Sequence, residues 1–255
     1  MSSSDAPADV LRGRLAEIRE RVDAAAVAAG RAPADVRILL ATKSQDAATI
    51  ATAVAAGFPL IGENRVQEVV HKAAALAELL PGVELERHFI GHLQSNKINQ
   101  LVPLVSCVQT VDSAELAGKL AIRAADDGRR LPVLAQVNVS GEVTKSGVPP
   151  ERVFELVEAI AAHDALDLRG LMTIGLNSPD AGAVRAGYEL LASLRDEIRA
   201  LAGGRAGSRT GARIGERTEL AALSMGMSND YELAIAAGAT IVRIGSAAFG
   251  PRQVR

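Results

Sequence analysis

The sequence predicts an α/β fold: a single-domain (β/α)8 barrel of the TIM type, preceded by an extra N-terminal helix. The first of three supporting observations is the length of 255 residues, the usual size of such a barrel. The second is that eight apolar strand candidates alternate with helices, in repeats of about 25 to 30 residues that match βα units. The third is that a helix between consecutive strands makes the strands parallel. An open doubly wound sheet is the alternative, because periodicity alone does not close a barrel.

The first predicted element is an amphipathic helix over residues 7–29. Pro7 suits a first helical position, the apolar residues fall on one face, and Gly30 can end the helix. Because this helix precedes the first strand, we expect it to lie outside the barrel.

The eight predicted strands are short runs rich in Val, Ile and Leu, bounded by turn residues. The clearest is PVLAQVNV, which is apolar and partly β-branched. In chain order the strand predictions cover 36–42, 58–62, 87–91, 105–111, 132–139, 168–175, 219–226 and 239–245.

The helices between these strands are predicted from their helical spacing and from the Gly and Pro residues at their ends. The first of them ends at Gly57, and the second is stopped by Pro81 and Gly82. In chain order they cover 46–57, 64–82, 94–104, 113–128, 149–164, 179–202 and 230–238. The stretch 203–217 is aperiodic and rich in Gly and Arg, so we expect a mobile loop there.

The composition excludes several classes of protein. Lys and Arg number 28 against 30 Asp and Glu, and this net charge of −2 argues against a nucleic-acid surface. Aromatic residues are 2% of the chain, too few for a base-stacking platform. Cys107 is the one cysteine, which rules out an intrachain disulfide and a cysteine-rich metal site. Because neither a signal peptide nor a long apolar stretch is visible, we expect a cytoplasmic protein without membrane or nucleic-acid partners.

The active site of such a barrel lies at the C-terminal ends of the strands, so the residues that follow each strand matter most. Polar residues occur at nearly every one of these exits, and Lys43 is the only lysine that directly follows a strand. In chain order the exits carry Lys43, Asn64, His92, Asp112, Asn138, Thr173, the stretch 224–229 and the stretch 243–246.

Small residues follow the seventh and eighth strands. Gly226 and Ser228 after the seventh, with Gly245 and Ser246 after the eighth, let backbone N–H groups approach a phosphate closely. The loops after these two strands are the usual phosphate site of the fold. A single glycine would indicate only a loop, but small residues at both exits favour a phosphate cradle.

Lys43 and Arg243 add reactive groups on the same face. A lysine amine held in a cleft can attack a carbonyl as a Schiff-base nucleophile, although most lysines at strand ends are merely solvated. Together with the cradle, Lys43 points to an aldehyde-bearing phosphate cofactor. Arg243 lies two residues before Gly245, so both face the barrel interior. Arg243 therefore either faces a pyridine nitrogen or forms a buried ion pair with an acidic residue.

Other polar residues favour structural interpretations. His88 and His92 straddle a strand and its loop, which makes a metal pair improbable. Cys107 lies among apolar neighbours and is expected to be inert core. Lys145 is most simply a solvated loop lysine.

The chain resembles the YggS/PROSC family of pyridoxal 5′-phosphate (PLP) homeostasis proteins. Each matching stretch is weak alone, but their order and combination are highly specific. The stretches run from near residue 36 to residue 252 and read ATKSQ, IGENRVQE, HFIGHLQSNK, VQTVDS, QVNVSGEVTKSGV, LRGLMTIG, LSMGMSNDYELAIAAGAT and VRIGSAAFGPR.

The resemblance implies a barrel like the N-terminal domain of alanine racemase, with PLP carried on a lysine after the first strand. It implies that Lys43 is the Schiff-base lysine and that Arg243 faces the pyridine nitrogen, with Gly245, Ser246 and Ser228 on the phosphate. The whole expected cofactor-binding set is Lys43, Asn64, Ser224, Ser228, Arg243, Gly245 and Ser246.

The chain departs from the family at four places. Gln45 stands where the family often has a second lysine, so a role for a second amine there is in doubt. Ser246 replaces a frequent Thr and keeps the hydroxyl, whereas Asn229 replaces a frequent Asp and removes a charge. The 203–217 stretch is longer than usual.

The resemblance leaves two function classes open. One is a carrier that holds PLP and supplies or buffers it, with PLP-dependent apo-enzymes as its partners. The other is a PLP enzyme such as an amino-acid racemase. Racemisation needs an acid/base group on each face of the substrate, and Lys43 can be only one of them. Tyr188 and Tyr231 lie in predicted helices rather than at strand exits.

Two further points favour the carrier. An arginine at the ring nitrogen leaves that nitrogen unprotonated and weakens the cofactor as an electron sink. Because few residues follow the eighth predicted strand, we also expect no second domain like that of the racemases. An ordinary barrel enzyme acting on a phosphorylated substrate is the remaining alternative if Lys43 carries no aldehyde.

Overall fold

In a computed structural model, which describes residues 6–204 and 220–250, eight parallel strands form a closed barrel in chain order. Each strand pairs with its neighbours, and β1 pairs with β8 to close the ring. The predicted closed barrel is therefore confirmed, and the open sheet is wrong. Within the described residues, no helix is long and apolar enough to cross a membrane.

The strands are short and begin or end within a few residues of the predicted bounds. They are β1 (Arg37–Ala41), β2 (Leu60–Glu63), β3 (Glu86–Phe89), β4 (Cys107–Val111), β5 (Leu131–Gln136), β6 (Leu166–Met172), β7 (Ala222–Met227) and β8 (Ile241–Ile244).

Helices surround the barrel and connect its strands. They are α1 (Ala6–Ala28), α2 (Ala47–Ala55), α3 (Val66–Leu79), α4 (Ile98–Leu101), α5 (Ala114–Asp126), α6 (Val153–Ala161), α7 (Ala181–Gly204), α8 (Tyr231–Ala236) and α9 (Ser246–Phe249). Short 3₁₀ turns cover Pro33–Asp35, Ser95–Lys97, Val102–Leu104 and Pro150–Arg152.

The predicted N-terminal helix lies outside the barrel, as α1. It packs against α2, α8 and α9, and its apolar face, including Leu15 and Val22, is buried. Arg21 on its outer face pairs with Glu232 of α8.

Two predicted α-helices are partly 3₁₀ turns in the structure. The segment 94–104 is not one helix but a short α4 between two 3₁₀ turns, the second of which contains Pro103. A proline has no N–H to continue an α-helix, so the chain tightens there. The helix predicted over 149–164 likewise starts as a 3₁₀ turn at Pro150. The mobile loop predicted over 203–217 falls outside the described residues, apart from its first two positions, which end α7.

The strands alternate between the barrel interior and the helix layer. On β1, Leu39 and Ala41 pack inside with Leu60 and Ile90. On β4, Cys107 also faces inside and is buried, and burial raises the pKa of its thiol strongly, so it has the inert character predicted for it.

Candidate functional site at the C-terminal mouth of the barrel

A cavity of about 1270 Å³ opens at the C-terminal ends of the strands. Six of the seven residues predicted to bind the cofactor line it: Lys43, Asn64, Ser228, Arg243, Gly245 and Ser246. The seventh, Ser224, is fully buried below the cavity and does not line it. The exits of β1 and β2 form one wall, which we call the lysine side (residues 42–44, with Glu63, Glu68 and Lys72). The exits of β7 and β8 form the other, the cradle side (residues 226–230 and 245–247).

The backbone around Lys43 has an unusual conformation. Lys43 follows Ala41 and Thr42 at the end of β1 and lines the cavity half-buried. The next residue, Ser44, has a φ of 65°, in the left-handed region that non-glycine residues rarely occupy. Such a conformation persists when neighbouring groups hold it in place.

Two side chains of α3 hold the peptide groups on either side of Lys43. The Ser44 N–H donates to Glu68 Oε2 over 2.8 Å. Lys72 Nζ donates to the Thr42 carbonyl over 3.0 Å and also pairs with Glu68 Oε2 at 2.9 Å. We call this pair the α3 clamp (Glu68 and Lys72). It fixes the direction in which Lys43 leaves the strand.

Glu63 completes this buried network from behind. Its Oε1 accepts from Thr42 Oγ1 at 2.7 Å and from Lys72 Nζ at 2.9 Å. Burial raises the pKa of Glu63, in spite of its bonds from Thr42 and Lys72. Burial also acts on Glu68, but the bonds from Lys72 and from the Ser44 N–H outweigh it and lower the pKa of that carboxyl. Glu68 is therefore the carboxyl group of the network that its partners keep ionised.

Lys72 brings a second amine to this strand exit, although it does not follow a strand. Lys72 comes from α3, and its side chain is only 8% exposed, although it also lines the cavity. An ammonium group has three protons, and those of Lys72 go to Thr42 O, Glu63 and Glu68. The spacing of Glu68 and Lys72 by four residues on a helix was the one sequence signal for this pair.

Asn64 follows β2 and carries a vacant acceptor. Its Oδ1 is buried and has no hydrogen-bond partner within the described part of the chain. The strand-exit residue Gly91 packs directly behind it, where a β-carbon would lie 1.9 Å from the Asn64 carbonyl oxygen. Asn64 thus lines the cavity, and its Oδ1 can accept a hydrogen bond from a bound molecule.

On the cradle side, backbone N–H groups converge on one hydroxyl. Ser228 Oγ accepts from the Gly245 N–H at 3.2 Å and from the Ala247 N–H at 3.3 Å. Asp230 accepts from the Met227 N–H at 2.6 Å and stabilises the turn that carries Ser228. The site presents donors and small residues, which suits an anion.

Gly226 at the end of β7 has no room for a side chain. Its φ is 87°, and a β-carbon would lie 2.5 Å from the Ala234 Cβ on α8. Only glycine allows the strand to turn this closely against the helix.

Arg243 is 5% exposed and lies at the floor of the cavity. Its NH1 donates to Ser224 Oγ at 2.9 Å and its NH2 to the Thr173 carbonyl at 2.7 Å. Among the described residues no carboxylate pairs with it, so the alternative of a buried ion pair is wrong. Burial lowers the pKa of Arg243 to about 10, so the group remains a cation at neutral pH.

Lys145 is not the solvated lysine that its loop position suggested. Its Nζ pairs with Glu142 and donates to the Gly175 carbonyl at 2.7 Å. It therefore ties the loop after β5 to the loop after β6. Both ring nitrogens of His88 have partners inside the barrel, with Nδ1 next to Gln109 Nε2 and Nε2 next to Glu86 Oε1.

The chain is similar to proteins of one family along nearly its whole length. A family model described as "Alanine racemase, N-terminal domain" matches residues 14–253. A protein of Vibrio cholerae named pyridoxal phosphate homeostasis protein is 38% identical over 243 residues, 95% of this chain and 97% of that protein.

The chain is also similar to solved structures along nearly its whole length. A structure described as that of an unknown protein from Bifidobacterium adolescentis has a TM-score of 0.86 at 40% identity, covering 96% of each chain. The structure of PipY from Synechococcus elongatus with PLP bound has a TM-score of 0.74 at 29% identity, covering 94% of this chain and 100% of that one.

Proposed function

The chain belongs to the family of pyridoxal phosphate homeostasis proteins, with the barrel of the alanine racemase N-terminal domain, and we propose from this premise that it binds PLP at the barrel mouth and acts in PLP homeostasis. The observation that carries the proposal is the arrangement of the cavity. Lys43 and Ser228 line the same cavity, with the buried guanidinium of Arg243 on its floor.

The donors and acceptors present fit PLP. A phosphate accepts hydrogen bonds. Ser228 Oγ accepts from the Gly245 and Ala247 N–H groups, so its own proton remains to be donated to the phosphate. A pyridine nitrogen accepts a hydrogen bond, and a guanidinium such as that of Arg243 can only donate one. The vacant Oδ1 of Asn64 needs a donor, which a ring hydroxyl can supply.

Each residue then has a distinct task. PLP supplies an aldehyde, which a lysine amine can take up covalently. Lys43 presents that amine, and the α3 clamp fixes its direction. Arg243 holds the ring nitrogen in its unprotonated form, and Ser224 holds Arg243 from below. Gly245, Ser246 and Ser228 bind the phosphate.

We favour a carrier over a PLP enzyme because the second amine near Lys43 is already engaged by the protein. Lys72 Nζ donates to Thr42 O, Glu63 Oε1 and Glu68 Oε2, so it has no donor left for a bound substrate. The cavity lining contains no tyrosine among the described residues; Tyr188 is buried in α7 behind Gly175. An unprotonated ring nitrogen also draws electrons weakly.

The binding proposal is tested by reductive trapping. Purified protein is mixed with PLP, reduced with borohydride and digested, and the labelled peptide is identified by mass spectrometry. We expect the label on Lys43 and no label in Lys43→Ala. Lys119→Ala is the matched control, because Lys119 is an exposed lysine of α5 paired with Glu115. Full visible absorbance of bound PLP in Lys43→Ala would refute the assignment.

The carrier proposal is tested by turnover. PLP-loaded protein is incubated in deuterium oxide with L-alanine, L-serine and L-lysine, and exchange at the α-carbon is followed by NMR. We expect no more exchange than with free PLP. Exchange that is clearly faster and depends on Lys43 would restore the racemase.

We propose PLP-dependent apo-enzymes as recipients and the cytoplasm as the location. The buried free thiol of Cys107 is compatible with a reducing compartment. Transfer is measured by mixing PLP-loaded protein with an apo-enzyme in the presence of an external trap for free PLP. Reactivation in spite of the trap supports direct delivery, and complete inhibition by the trap indicates release into solution.

A further inference from the structure

A continuous chain of buried polar side chains runs through the barrel below Arg243. Arg243 NH1 lies 2.9 Å from Ser224 Oγ, and Ser224 Oγ lies 2.6 Å from Gln109 Oε1. Gln109 Nε2 lies 2.7 Å from His88 Nδ1, and His88 Nε2 lies 2.8 Å from Glu86 Oε1. The chain thus links the floor of the cavity to the start of β3, at the opposite end of the barrel.

These groups are unusual for a barrel interior. Ser224 and Gln109 are fully buried and His88 is 4% exposed. A buried polar group without a partner is strongly unfavourable, so such a chain is stable only when every link is made. The apolar residues around it, including Leu39 and Cys107, offer no alternative partner through oxygen or nitrogen side-chain atoms.

The chemistry of the groups gives the chain one direction. A guanidinium can only donate, so Ser224 Oγ accepts from Arg243. The single proton of Ser224 then goes to Gln109 Oε1, and the amide nitrogen of Gln109 must donate to His88 Nδ1. His88 Nδ1 therefore carries no proton, and the N–H of the His88 ring is on Nε2.

The far end of the chain is fixed by charge. The hydrogen bond from His88, with the guanidinium of Arg37 beside it, lowers the pKa of Glu86 to about 2 in spite of its partial burial. Glu86 is therefore a permanent acceptor, which holds the N–H of His88 on Nε2.

We propose that His88 is a positioning residue for Arg243, acting through Gln109 and Ser224. One tautomer of His88 orients the Gln109 amide, the amide orients the Ser224 hydroxyl, and that hydroxyl leaves its lone pair for Arg243. Arg243 is then held with its free N–H groups towards the cavity. This inference rests on the proposed function, in which Arg243 faces the pyridine nitrogen of PLP.

The first test uses the ligand-free protein. With ¹⁵N-labelled protein at neutral pH, the imidazole nitrogens of His88 are assigned by comparison with His88→Gln. We expect a protonated Nε2 and a bare Nδ1. The other tautomer, or a doubly protonated ring, would overturn the proposed direction of the chain whether or not PLP binds.

The second test uses the absorbance of bound PLP. In Gln109→Leu and His88→Phe the chain is interrupted, and we expect a shifted visible maximum and PLP binding weaker by about threefold to tenfold. His88→Gln keeps one donor and one acceptor, so it should lie closer to the parent. Cys107→Ala is the matched control, because Cys107 faces the same interior two residues before Gln109 but is no link in the chain.

The outcomes separate the two proposals. A parent protein that fails to bind PLP refutes the proposed function and leaves the tautomer test to decide the chain. A parent that binds PLP, with Gln109→Leu and His88→Phe both indistinguishable from it, refutes the role of His88. Thermal unfolding identifies any variant that does not fold. In that case the variants that do fold, together with the measured tautomer of His88, decide the proposal.

Discussion

The two walls of the cavity are built in different ways. The lysine side places buried charges behind a strained backbone, with Lys72 between Glu63 and Glu68 and Ser44 in the left-handed region. The cradle side uses small residues, a serine hydroxyl and backbone N–H groups, with Asp230 as an outer support of its turn.

The difference follows from what each wall has to hold. A covalent attachment needs one amine in one direction, and charged hydrogen bonds to the peptide groups beside Lys43 give that precision. A phosphate needs donors at close approach, which a serine hydroxyl between small residues provides without a long side chain. The lysine side therefore depends on a few charged residues of α3, whereas the cradle side depends on the shape of two loops.

The largest expected effect comes from Lys72→Met on the lysine side. It leaves the carboxylates of Glu63 and Glu68 buried without their cation, which should lower the free energy of unfolding by about 3 to 5 kcal/mol. Urea unfolding measures this change. Lys119→Met removes an exposed ion pair with Glu115 and should change stability by less than about 0.5 kcal/mol. Similar small losses in both variants would show that the buried network contributes little.

On the cradle side the largest effect should come from Gly226→Ala. The positive φ and the overlap with Ala234 together should destabilise the protein by about 2 to 4 kcal/mol. Gly238→Ala is the control, because Gly238 has a φ of 97° but a β-carbon there would only make an ordinary contact with Leu223 Cδ1 at 3.9 Å. Gly238→Ala should show only the cost of placing a β-carbon at a positive φ, a loss of about 1 to 2 kcal/mol in the free energy of unfolding. Equal losses in the two variants would mean that contact with α8 is unimportant.

Ser228→Ala should weaken PLP binding without unfolding the chain. Loss of a hydrogen bond to a charged group is worth about 1.5 to 3 kcal/mol, roughly a tenfold to hundredfold change in Kd. Ser246→Ala should have a smaller effect, because Ser246 is exposed whereas Ser228 is half-buried and joins both loops. PLP titration of both variants measures the difference. Tight binding by both would place the phosphate elsewhere.

The smallest expected effect is a difference in how the free energy of unfolding depends on pH in variants of the two walls. The pKa of Glu68 is lowered in the folded protein, so its stabilising contribution is complete above the ordinary glutamate value of about 4.5 and is lost as the pH falls below it. The unfolding free energy of the parent should therefore drop between pH 5 and pH 3 more steeply than that of Glu68→Gln. Ser228→Ala should keep the parent slope, because no titrating group is changed. Parallel curves for all three proteins would contradict an ionised Glu68 in the clamp.

Sequence patterns were sufficient for the barrel and for most of the cavity. The alternation of strands and helices predicted eight strands in order, and six of the seven expected residues line one cavity. Both successes depend on local signals, since a residue that directly follows a strand is carried to the mouth by the strand itself. Ser224 and Arg243 both lie inside their strands, and only the longer side chain of Arg243 reaches the cavity from there.

The α3 clamp and the chain below Arg243 were not predicted, for the same physical reason. Lys72 is 29 residues from Lys43 and is placed behind it only when α3 packs on β1 and β2. Gln109 and Ser224 are separated by 115 residues and meet inside the closed barrel. Spacing along the chain contains no signal for such contacts.

The sequence by itself determined which groups stand at the strand ends, because periodicity and turn residues act over a few residues. It thereby supplied the amine of Lys43 and the small residues of the cradle. Only the tertiary structure decided how these groups are held and charged, because burial and partners distant in sequence set pKa values and side-chain directions. Lys72 is held between Glu63 and Glu68, and Arg243 is held on the floor by Ser224, through contacts that form only in the folded barrel.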